Sequence, residues 1–90
     1  MEVKDFLKKV GCDSVSDLTD TQVLEYFDGI KGEYCDVTIA TMVRKICNAK
    51  FVRMRDAQKV LREAMETGKN VAVYETYYEG DSGDFKIELE

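Results

Sequence analysis

The sequence predicts an α+β fold, with three to four helices followed by a C-terminal β-hairpin. Two observations carry that reading. Apolar residues recur with helical spacing in four stretches before Gly68, and the period drops to two after it, where β-branched and aromatic residues gather. Ninety residues is the size of one small domain, enough for a single core burying roughly 60 to 65 per cent of the unfolded chain's surface.

Val3, Phe6, Leu7 and Val10 stand at i, i+3, i+4 and i+7, and Gly11 follows as a stop, which predicts a first helix over about residues 2–10. Thr19-Asp20-Thr21-Gln22 has the form of a capping box, with Leu18 before the cap and Val23 at N4 as a hydrophobic staple. The second helix should run to Asp28 or Gly29 and bury Val23, Leu24 and Phe27. Asp36 is the expected N-cap of a third helix, whose stripe is Ile39, Met42, Val43 and Ile46 with Ala40 and Cys47 beside it. A fourth helix over about 53–67 carries Ala57, Val60, Leu61, Ala64 and Met65 on one face, with Gly68 as terminator. Helices three and four either fuse or are parted by a turn at 48–52, which Asn48 and the apolar Phe51-Val52 favour. Two runs, 71–78 and 85–90, then alternate as strands around the turn-rich segment 79–84, and Phe85, Ile87 and Leu89 should face the helices.

Composition excludes several function classes. Histidine is absent, which removes the commonest general base and the commonest zinc ligand, and three scattered cysteines, Cys12, Cys35 and Cys47, cannot complete a four-thiolate site. No Cys-x-x-Cys pair occurs, so the expected compartment is the reducing cytoplasm. The apolar runs are too short for a membrane span. No cofactor or small-molecule substrate is indicated, and no spaced constellation supports an enzyme. Gly80-Asp81-Ser82-Gly83 is similar to the nucleophile segment of chymotrypsin-like proteases, but that chemistry requires a histidine base. The same acidic segment lacks the ligand spacing of an EF-hand.

Charge is segregated along the chain. Residues 1–36 hold four Lys against nine Asp or Glu, net −5; residues 44–62 hold seven Lys or Arg against one Asp, net +6; residues 63–90 hold two Lys against eight acids, net −6. A basic block inside an acidic protein points to one cationic face, turned toward nucleic acid, an acidic partner or the chain's own acidic ends. On the fourth helix Arg55, Lys59 and Arg62 stand at i, i+4 and i+7, opposite the apolar face, with Arg53 at its start, Lys50 in the preceding turn and Arg44 and Lys45 on helix three. Gln58 is of a type that reads adenine. These eight residues form the expected nucleic-acid contact set. The competing reading of the stripe is an ordinary solvated helix face, or one neutralised internally.

The order of elements over about 20–90 resembles winged helix-turn-helix domains, with 37–48 as the first helix of the motif, 53–67 as the recognition helix and 71–90 as the wing. The resemblance implies a double-stranded DNA-binding protein, such as a transcriptional regulator, that lays the second helix in the major groove. Three features depart from that pattern: the turn lacks the usual glycine, the interval between the two helices looks long, and the wing carries Glu79, Asp81 and Asp84, which DNA would repel. The alternative function is an acidic protein-interaction module, an adaptor or inhibitor of a larger nucleic-acid-handling machine of the kind mobile elements encode, working against a basic partner. Tyr74, Tyr77, Tyr78 and Phe85 then read as core or protein contact rather than as a base-stacking platform, and a homodimer is compatible with such a surface.

Overall fold

The computed structural model describes residues 2–32, 36–76 and 84–90. Its helices are α1 (Val3–Val10), α2 (Asp20–Asp28), α3 (Ile39–Asn48) and α4 (Met54–Thr67), with a single 3-10 turn at Val15–Asp17 between the first two. The strands β1 (Val71–Thr76) and β2 (Asp84–Leu89) pair antiparallel in the register Val71↔Leu89, Val73↔Ile87 and Glu75↔Phe85. The α+β class with helices preceding a hairpin is therefore present as expected. Tyr77, Tyr78, the 79–83 segment with Ser82, and Cys35 lie outside the described residues.

Local chemistry sets the helix ends. The Thr19 hydroxyl accepts from the Gln22 N–H at 3.1 Å while Gln22 Oε1 accepts from the Thr19 N–H at 2.9 Å, so the capping box forms in full. At α3 the cap is Thr38 rather than Asp36: its hydroxyl accepts from the Thr41 N–H at 3.2 Å. A β-bridge to Lys31 keeps Thr38 itself in extended conformation, so the helix starts two positions later than Asp36 would allow. Gly11 ends α1 in the left-handed region, with Cys12 N–H donating to the Leu7 carbonyl and Gly11 N–H to that of Lys8, a complete Schellman motif.

Helices three and four are separate. The end of α3 repeats the Schellman pattern without glycine: Phe51 N–H donates to the Ile46 carbonyl and Lys50 N–H to that of Cys47, both at 3.0 Å. Lys50 takes the left-handed position, φ 64°, and among the described residues is the only non-glycine with positive φ. An L side chain there costs about 1 kcal/mol that glycine would avoid.

The core lies where α2, α3 and α4 meet. Leu61, Val23 and Val43 are fully enclosed, each contributing about 1.5–3 kcal/mol by leaving water. The predicted faces of α1 to α4 point inward, with Phe6, Phe27, Ile39, Ala57, Ala64 and Met65 all buried. From α1, Phe6 meets the edge of Tyr26 at 5.4 Å, and Tyr26 in turn meets Phe27 at 5.1 Å. Val71, Val73, Ile87 and Leu89 close the hairpin's inner face onto this core.

Candidate nucleic-acid interface

The α3–α4 junction concentrates the basic residues. Lys45 is in the last turn of α3, Lys50 in the left-handed turn, Arg53 at the N-cap of α4, and Arg55 and Lys59 in its first two turns. All five are exposed, and their side chains make no hydrogen bond or ion pair with any described residue. Arg53 supplies no side-chain cap at the positive end of the helix dipole, and the Asp56 N–H donates to the Arg53 carbonyl at 3.0 Å. Asp56 shares that first turn and is exposed, which dilutes the positive field.

Three members of the expected set are engaged elsewhere. Gln58 requires correction as a base-reading residue: it is only 4% exposed, and its Nε2 donates to the Asp20 carbonyl at 3.1 Å. Its Oε1 is buried without a hydrogen-bond partner among the described residues. Gln58 occupies the apolar spacing of α4, between Met54 at i−4 and Leu61 at i+3, a pattern visible in the sequence once glutamine is admitted to the buried face. Arg62 is turned inward as well, donating to Asp20 Oδ1 at 2.8 Å and to the Val15 carbonyl at 3.1 Å. Arg44 forks onto both oxygens of Asp28 at 3.0 and 3.3 Å, linking α3 to α2. The stripe is thus divided, with two guanidinium groups fastening helices together and five cations facing solvent.

Sequence reasoning missed an apolar groove beside these cations. Met42, Ile46 and Ala49 of the α3 end, Phe51 of the turn and Val73 and Phe85 of the hairpin surround a space of about 330 Å³, with Lys45 and Tyr74 completing its lining. Phe51 and Phe85 lie with ring centroids 5.1 Å apart. A second depression of about 390 Å³, over Tyr26, Ile30 and Met65, has Lys31, Lys69 and Glu90 around it. Among the described residues, no group of three or more Cys, Asp or Glu could hold a metal ion, and no helix is long and apolar enough to cross a membrane. Burial raises the Cys47 thiol above its ordinary range, which lowers the thiolate fraction that reactivity needs.

Comparison with family models, with curated proteins and with solved structures finds no match to this chain.

Proposed function

We propose that this chain is a small, non-catalytic nucleic-acid-binding protein of winged-helix-like organisation that meets double-stranded DNA with the α3–α4 junction. The observation that carries the reading is the solvent-facing group Lys45, Lys50, Arg53, Arg55 and Lys59, none of which is neutralised by a described neighbour. The positive end of the α4 dipole lies at the same place, its field reduced by Asp56 in the first turn. Lys50 adds a further argument, because a lysine held in a conformation that favours glycine sacrifices stability for a cation at that point. With a net charge of −5 the protein is not drawn to DNA from afar, so binding depends on local contacts and is steeply sensitive to salt.

The test is fluorescence anisotropy with a labelled duplex over a salt series, alongside retention on heparin. Replacing Arg55 and Lys59 together by Ala should weaken binding by roughly tenfold or more and flatten the salt slope by about 1.8, near 0.9 per lost phosphate contact. A double variant that binds the duplex as the parent does, or a parent that passes through heparin at low salt, overturns the proposal.

A further inference from the structure

The two large apolar side chains most open to solvent among the described residues, Phe51 at 44% and Tyr74 at 39%, both line one groove. Isolated exposed rings are ordinary on a small protein; two converging on one concave, carbon-lined surface are not. Phe51 rests on Phe85, which fixes the turn against the hairpin and holds the groove open beside α3. Among the described residues the lining contains no carboxylate and its charged member is Lys45, while on the hairpin side the hydroxyl of the lining residue Tyr74 donates to the Glu88 carboxylate at 2.6 Å. Lys50 adjoins Phe51 in the chain, and Arg53 follows two positions later.

We propose that this groove is a docking site for an acidic polypeptide segment that inserts one large apolar side chain between α3 and β1. The lining selects the anchor: an aliphatic or aromatic side chain gains by leaving water, whereas a nucleobase would bring polar edges against carbon and leave them unpaired. The charge on the α3 side selects the flanks, since Lys45 in the lining, with Lys50 and Arg53 near Phe51 in the chain, complements Asp and Glu beside the anchor. Apolar anchor and cationic rim together are the arrangement of a small recognition hot spot. The inference stands on the groove and does not depend on DNA binding, although Lys45 and Lys50 would serve both ligands and the two would compete for them.

The experiment uses the full chain with labelled methyl and amide groups, titrated with short synthetic peptides of Asp, Glu and Ser bearing a single central Leu, Phe or Trp. Controls carry Ala at the centre, or Lys in place of the acids, and a separate arm uses oligothymidylate. The anchored acidic peptides should shift the signals of Met42, Ile46 and Val73, with affinity falling roughly tenfold or more for either control peptide. Lys45→Glu should cause a comparable loss at unchanged melting temperature, and Phe51→Ala a comparable loss of affinity. Should Phe51→Ala lower the melting temperature, Ala49→Gln at the exposed lip provides the same readout. Peptides that leave these signals unmoved overturn the proposal, as does equal binding of the Ala-centred control. So does oligothymidylate shifting the groove signals where peptides do not, and so does a dependence of those signals on protein concentration alone, which would identify a second copy as the occupant.

Discussion

Arg62 reaches Asp20 at 2.8 Å while its other terminal nitrogen donates to the Val15 carbonyl at 3.1 Å, so one side chain fastens α4 to both the 3-10 turn and the start of α2. The two bonds are unequal. Asp20 is 66% exposed and its attraction is screened, whereas Arg62 is only 25% exposed and spans the gap to the Val15 carbonyl. Arg62→Ala should therefore destabilise the fold by about 1–2 kcal/mol, chiefly through the lost carbonyl contact. Duplex affinity, compared where both proteins are folded, should be unchanged. Urea denaturation and anisotropy check the two halves, and a fully stable variant with impaired binding would contradict this assignment.

Lys50 in its left-handed turn gives an expectation of the opposite sign. Glycine at that position relieves the steric cost of the side chain, in part offset by the greater freedom it gives the unfolded chain. Lys50→Gly should stabilise by about 0.5–1 kcal/mol while weakening duplex binding, since a cation is lost. Chemical denaturation showing a less stable variant would refute the account of the turn.

Gln58 carries a buried oxygen with no partner among the described residues, a configuration that costs about 1 kcal/mol or more. Gln58→Met keeps the length of the side chain and suits the apolar face next to Met54. The Asp20 carbonyl that loses the amide donor lies in the first turn of α2, where the helix ladder supplies another. Stability should rise or hold, and duplex selectivity should not change. A marked preference shift at one base pair on this substitution would restore Gln58 as a reading residue.

Tyr26 links stability to alkaline pH. Burial, and secondarily the Glu2 carboxylate, raises its hydroxyl above the ordinary value near 10. The folded state thus keeps the proton after the unfolded chain has released it. This contribution is complete below pH 10 and is lost as the pH climbs from there through the folded-state value. Tyr26→Phe should remove that part of the decline in urea midpoint above pH 10, and an identical decline in both proteins would exclude Tyr26 as the group responsible.

What the sequence made legible was whatever depends on near neighbours. The Thr19–Gln22 box closes over three positions, and the apolar faces of all four helices follow directly from their spacing. The third helix start was blurred because Asp36 and Thr38 can both cap, and only the bridge to Lys31 decides between them. The fates of Arg62 and Arg44 were illegible because their acids lie 42 and 16 positions away, a matter of tertiary geometry. The groove was hidden for the same reason, since it exists only where Phe51 crosses to Phe85.

The hairpin's pairing of Val73 with Ile87 has a consequence for how the molecule comes apart. A lone two-stranded ribbon scarcely persists in water, so its persistence is borrowed from the helices beneath it. Amide hydrogens of Ala72 and Glu88, which take hydrogen-bonded positions in the ladder continued by the Glu90 N–H to Asn70 carbonyl bond, should therefore exchange in step with that of Leu61 in α4, as members of one cooperative unit rather than as a fraying appendage.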